Sequence, residues 1–154
     1  VGGSEYLKTF HHLIEGPIPE INLEIELSIQ RICLDLINNN YIKSAHDISD
    51  GGLAVNICES ICAGNEGLGA KLNVDRKLRT DELLFGETQG VIIVTINPDN
   101  LHHVALLSQE YNIHSQTIGV VTDDERLLIN DIIDLPRNSI EKRYLGSLSE
   151  IMKD

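Results

Sequence analysis

The sequence has no tryptophan, one methionine, two phenylalanines and four tyrosines. Aliphatic side chains must therefore build its core, and no aromatic-rich surface for stacking on bases is available. It is also poor in positive charge: Lys+Arg 12 stand against Asp+Glu 24, a formal net charge of -12. A nucleic-acid backbone needs a basic face, so that class of partner is excluded, and the acidity itself serves solubility. No apolar run approaches the roughly 20 residues that span a bilayer, and no basic-then-apolar N-terminal pattern suggests secretion. Only three cysteines occur, Cys33, Cys58 and Cys62, with no Cys-x-x-Cys unit. Cys58 and Cys62 share a helical face with Leu53 and Ile61, which reads as buried structural thiols rather than a zinc pair. Free thiols fit a reducing, cytoplasmic setting.

What is present is a globular composition: 42% hydrophobic residues, with a mean hydropathy of -0.07. At 154 residues the chain suits a single domain over residues 1–154. Its opening Val1-Gly2-Gly3 reads as a piece of a longer polypeptide.

The densest chemistry lies in Ser44-Ala45-His46-Asp47-Ile48-Ser49-Asp50-Gly51-Gly52-Leu53. A short strand is expected through Tyr41-Ile42 and Ser44-Ala45, and a helix from Leu53, where Leu53, Ile57 and Ile61 recur at helical spacing. Gly51-Gly52 permit positive φ and close approach of backbone to a ligand. Free N–H groups at such a strand-to-helix turn can hold a phosphate, and the carboxylates of Asp47 and Asp50 can hold Mg²⁺. Equally, Ser49 or Asp50 can simply cap the helix. His46 is expected to order the turn through a hydrogen bond. The pairs His11-His12 and His102-His103 point apart on helices and make no metal site.

The remaining chain alternates helices and strands. A helix from Ser4 through His12 ends before Gly16-Pro17-Ile18-Pro19, a linker. A long helix follows Asn22 and stops at Asn38-Asn39-Asn40. Leu68–Val74 reads as a strand, and Thr80 as the cap of a short helix Asp81–Phe85. Val91–Ile96, an unbroken apolar run, reads as a central strand covered on both faces. Asn97-Pro98 starts another helix. Ile113–Thr122 and Arg126–Asn130 read as a hairpin joined by the solvated turn Asp123-Asp124-Glu125. Asn138–Leu145 is a final helix stopped by Gly146. The pattern implies an α/β domain of the α+β type, with a mixed sheet flanked by helices.

The order Ser-Ala-His-Asp-Ile-Ser-Asp-Gly-Gly-Leu and then Leu83-Leu84-Phe85-Gly86-Glu87-Thr88-Gln89-Gly90 resembles the large synthetase subunits of phosphoribosylformylglycinamidine synthases. These formylglycinamide ribonucleotide amidotransferases of purine biosynthesis belong to the aminoimidazole ribonucleotide synthetase superfamily. The opening Gly2-Gly3-Ser4-Glu5-Tyr6-Leu7 and the late Gly146-Ser147-Leu148 match the same C-terminal domain, so the resemblance spans nearly the whole chain. It implies a C-terminal domain with a three-layer arrangement, like that of aminoimidazole ribonucleotide synthetase, and a parent ligase that uses ATP, Mg²⁺ and glutamine. It further implies nucleotide substrates, other domains of the same chain and a glutaminase subunit or domain as partners.

Carried over residue by residue, Glu87, Thr88 and Gln89 fall on a Gly-Glu-Ser-Gln stretch that binds substrate in the family's first half, with Thr88 replacing serine. The resemblance places catalytic and metal-binding residues in other domains, so none is assigned here, and no cofactor is assigned to this stretch alone. Val91 stands where relatives often carry arginine, which removes a bidentate phosphate partner. Candidate ligand or phosphate contacts are thus Asp47, Ser49, Asp50, Gly51, Gly52, Glu87, Thr88 and Gln89. The chain is expected to be inactive alone, contributing packing or an auxiliary phosphate or nucleotide pocket. The alternatives are a domain of another superfamily enzyme (aminoimidazole ribonucleotide synthetase, or a thiamine-phosphate or selenophosphate enzyme) or a purely structural unit.

Overall fold

The computed structural model describes residues 1–75 and 77–152. Among the described residues, six strands divide into two sheets. One is an antiparallel ribbon of β1 (Ile42–Asp47) and β3 (Ile92–Ile96). The other is a mixed four-stranded sheet in the order β4-β2-β5-β6, from β2 (Gly69–Leu72), β4 (Gly119–Thr122), β5 (Arg126–Ile129) and β6 (Ile133–Pro136). The helices are α1 (Leu23–Asn38), α2 (Gly52–Ala63), α3 (Thr80–Phe85), α4 (Leu101–Glu110), α5 (Arg137–Tyr144) and α6 (Ser147–Ile151). The α+β class expected from the alternation holds, with the strands shared between two sheets.

The larger core joins α2, α3 and α5 to the four-stranded sheet. Leu53, Ile57 and Ile61 supply the α2 stripe, while Leu127 and Ile129 of β5 are wholly buried beneath it. Arg137 fastens α5 to this body: its guanidinium donates to the carbonyls of Gly64, Asn65 and Leu68 and pairs with Glu141 at 2.7 Å. With only 6% of its surface exposed, that charge is tolerable because its donors make four hydrogen bonds, three to carbonyls and one to a carboxylate. The smaller core contains buried Ile32 and Leu36 of α1 and Val104 of α4, with Tyr41, Ile42 and Ile96 packed against them. Asn22 starts α1 by accepting from the N–H groups of Glu24 and Ile25, and Asn40 ends it with φ 57°.

Several local expectations are corrected. Arg126–Ile129 does not form a hairpin with Gly119–Thr122, because β2 lies between them, antiparallel to β4 and parallel to β5. The hairpin is β5 with β6. Ile113–Ile118 makes no strand; its single ladder-like bond runs from Asn73 N–H to Ile118 O. Val91–Ile96 is not a central strand: among the described residues it pairs only with β1, and β3 stays half-buried throughout. The first helix winds as a π-helix at Leu7–His11, with Ser4 Oγ accepting from Leu7 N–H. Thr80 is the first residue of α3 rather than its cap. The strand expected over Leu68–Val74 contracts to Gly69–Leu72. A further short helix, α6, follows Gly146.

Candidate functional site

Strand pairing brings the two motifs together. Asp47 lies opposite Ile92 and His46 opposite Ile93, and Ile48 N–H extends the ladder to Val91 O at 2.8 Å. The turn after β1 and the stretch before β3 therefore emerge side by side. Gly51 and Gly52 both have positive φ, 81° and 69°. A Cβ on Gly52 would sit 2.7 Å from the backbone of Phe85, so α2 starts in direct contact with the end of α3. Only glycine permits both the dihedral and the approach.

Glu87 closes the junction. Its Oε1 accepts from Gly51 N–H at 2.8 Å and from Glu5 N–H at 2.9 Å. One half-buried carboxylate thus joins the Gly-Gly turn, the second motif and the Gly-Ser-Glu-Tyr opening. Tyr6 adds a ring stacked on Phe85, with centroids 4.9 Å apart and planes 5° apart. A carboxylate beside a helix N-terminus is favoured by the free N–H groups and the dipole. The backbone donor at Gly51 is consequently already engaged by an anion of the protein itself. Neither Ser49 nor Asp50 caps α2 through its side chain; Gly51 is the capping residue. The expected side-chain cap is replaced by Glu87, brought from 36 residues away.

Asp47, Ser49, Asp50, Thr88 and Gln89 are exposed around this junction, Gly51 and Glu87 half-buried and Gly52 buried. Lys8 pairs with Glu5 at 2.8 Å; that hydrogen bond raises its pKa above the usual lysine value, with a small further contribution from the charge of Asp50. An entering phosphate would meet the carboxylates of Glu5, Asp50 and Glu87 with one lysine already paired. Beside Gly86 and Thr88 opens a cleft of about 370 Å³, walled by Ile48, Leu53, Leu83 and Ile93. His46 does not order the turn; it points to α2, with Nδ1 3.2 Å from Ser60 Oγ and Nε2 3.4 Å from Glu59. The turn is instead held by Asn56, which donates to Asp47 O at 2.7 Å and leaves its buried Oδ1 without a partner among the described residues.

No group of three or more His, Cys, Asp or Glu among the described residues is arranged to hold a metal ion. His103 stacks on Tyr41 with centroids 4.2 Å apart, and His102 Nδ1 lies 2.9 Å from Asp99 O. Asp124 forms a solvated turn, accepting from Thr122 Oγ1 and Arg126 N–H, and the Thr122 bond holds its carboxyl below the usual range. All three thiols are free, and burial pushes Cys58 up to about 11. The role of Glu5 and Tyr6 as members of the junction was not read from the sequence. Their motif is visible in the sequence, but which atoms meet Glu87 is set by folding across 82 residues.

Residues 1–131 match the family described as AIR synthase related protein, C-terminal domain. The chain belongs to this family. It is 38% identical over 154 residues to the phosphoribosylformylglycinamidine synthase subunit PurL of Alkaliphilus metalliredigens, covering 99% of this chain and 20% of that relative. The corresponding protein of Caldanaerobacter subterraneus is 37% identical over 151 residues, covering 96% and 20%. The chain thus spans about one-fifth of the length of these relatives. Among solved structures, PurLQS from Thermotoga maritima superposes with a TM-score of 0.69 at 17% identity, over 90% of this chain and 24% of that one. PurL of the same organism, complexed with FGAR, gives 0.64 at 19% identity over 75% and 20%, and its complex with ATP gives 0.63 at 16% identity over 73% and 21%. These likenesses establish the shared fold. No described helix is long and apolar enough to cross a membrane.

Proposed function

We propose that residues 1–154 are the C-terminal synthetase-type domain of a phosphoribosylformylglycinamidine synthase large subunit, acting in the cytoplasm as one part of a longer chain. The parent ligase converts formylglycinamide ribonucleotide, glutamine, ATP and water into the amidine, glutamate, ADP and phosphate, with a glutaminase partner supplying ammonia. The near full-length identity to PurL relatives supports that reading. The observation that carries the domain's own role is the Glu87 junction, in which three family-like motifs converge on one carboxylate.

This geometry favours packing over chemistry. Glu87 holds the Gly51 donor, so Asp47, Ser49, Asp50, Gly51, Gly52, Glu87, Thr88 and Gln89 form an ordered rim that faces the rest of the enzyme. An auxiliary phosphate pocket at this rim requires Glu87 to leave its seat. Without a metal-holding cluster among the described residues, no Mg²⁺-dependent step is assigned to them. ATP and Mg²⁺ belong to the proposed whole enzyme.

The test is a chimera in which this chain replaces the matching fifth of the Alkaliphilus PurL, supplied with glutamine or ammonia. Release of ADP that depends on formylglycinamide ribonucleotide is expected from the chimera and not from the 154-residue chain. Calorimetry of the chain with Mg-ADP or with that ribonucleotide is expected to give no saturable heat. A folded chimera that is silent with this substrate but active on another ribonucleotide would assign the domain elsewhere in the superfamily.

A further inference from the structure

The first quarter of the chain shows more apolar surface than a finished fold tolerates. Ile14, Ile18 and Leu23 are 80%, 83% and 77% exposed, and Phe10, Ile21 and Leu34 exceed half. Helix α1 buries Ile29, Ile32 and Leu36 on one side yet presents Leu23, Leu27, Leu34 and Ile37 to solvent. A helix apolar on more than one side belongs between two bodies rather than at a surface. Contiguous exposed apolar patches of this kind mark interaction sites.

Charge identifies the occupant. Between Phe10 and Ile37 lie Glu15, Glu20, Glu24, Glu26 and Asp35 against Arg31 alone. A second copy of this chain would bring the same acidic rim against itself, which like-charge repulsion opposes. The chain outside these residues is ample, since the domain is about one-fifth of its PurL relatives. We propose that the segment from Phe10 through α1 docks onto an apolar, basic-rimmed face of the remaining synthetase chain. This rests on the proposed function and assigns the surface through which that function is assembled. The Glu87 junction then has a second consequence: by fixing Glu5 N–H it anchors the root of the arm that carries Phe10, Ile14 and Ile18.

Hydroxyl-radical footprinting compares the 154-residue chain with the full-length synthetase that contains it, using Val120 and Val121 of β4 as exposed references. Modification of Ile14, Ile18 and Leu23 is expected to fall at least tenfold in the full-length protein. Equal modification in the two forms would overturn the docking surface, while the substrate assay above would still stand on its own. Sedimentation of the isolated chain supplies the second arm. A monomer supports the assignment; a dimer abolished by Ile14→Asp would overturn it in favour of a contact between copies. Ile14→Asp touches no core residue, so unchanged circular dichroism is expected to accompany it.

Discussion

The two halves of the molecule are finished to different degrees. The four-stranded sheet with α2, α3 and α5 closes around ten buried hydrophobic residues, with Leu84, Leu127 and Ile129 almost or wholly inaccessible. The β1–β3 ribbon with α1 and α4 closes around three. Two strands alone are marginal in water, and need a hydrophobic face covered by further structure. The ribbon obtains part of that cover from α1 and α4, whose ends are tied by Tyr111 Oη donating to Asp35 Oδ2 at 2.5 Å. The remainder of α1 stays apolar and open. A domain can thus contain one self-sufficient core and one that depends on what lies beside it, and the Glu87 junction stands at their boundary.

Removing side chains sharpens this contrast. Leu84→Ala, at 1% exposure, is expected to cost about 3 kcal/mol in urea unfolding, as truncation in a closed core does. Ile32→Ala in the smaller core is expected to cost closer to ~2 kcal/mol. Equal losses would break the comparison.

At the boundary, Glu87→Ala leaves the N–H groups of Gly51 and Glu5 without their acceptor. A loss of about 2 kcal/mol is expected from stranded donors, with Glu87→Gln recovering part of it because an amide oxygen still accepts. A Gln variant as weak as Ala would mean that charge, not hydrogen bonding, holds the seat.

The open half has its own local support. Asn22→Ala removes the α1 cap and is expected to cost ~1 kcal/mol, read as lost helicity and a lowered urea midpoint.

The smallest effect concerns the closed half. Burial raises Cys58 from its ordinary value near 9 to about 11. Its thiol form is therefore favoured by folding, and that contribution is full below pH 9 and lost as pH rises toward about 11. Alkylation at pH 8 followed by peptide mass analysis is expected to modify Cys58 about a hundredfold more slowly than a free thiol. A rate matching an unhindered cysteine would show that the α2 face opens.

Legibility in the sequence followed the range of the interactions. The start of α1 after Asn22 and its stop at Asn38-Asn39-Asn40 are local, and both are readable from neighbouring sequence; that Asn22 caps the helix with its own side chain is set by the fold. The Gly51-Gly52 turn was readable as a turn, and its neighbours as candidates. The capping partner was not, because Glu87 reaches the turn through the β1–β3 register rather than through adjacent sequence. The same reason explains the missed hairpin. Arg126–Ile129 follows Gly119–Thr122 by a three-residue turn, which favours pairing them, yet β2 claims the position between. Val91–Ile96 reads as a covered central strand because it is continuously apolar; among the described residues its second edge has no strand beside it. That excess hydrophobicity was a signal of the open half, legible only once the sheets were known.

Hydrogen exchange followed by mass spectrometry tests the central contrast most directly, on the 154-residue chain and on the proposed full-length synthetase. In the isolated chain, amides of α1, β1 and β3 are expected to exchange well ahead of those of α2, β2 and β5, and to become protected in the full-length protein. Uniform protection in the isolated chain, unchanged in the full-length protein, would contradict the view that one half of this domain is completed from outside.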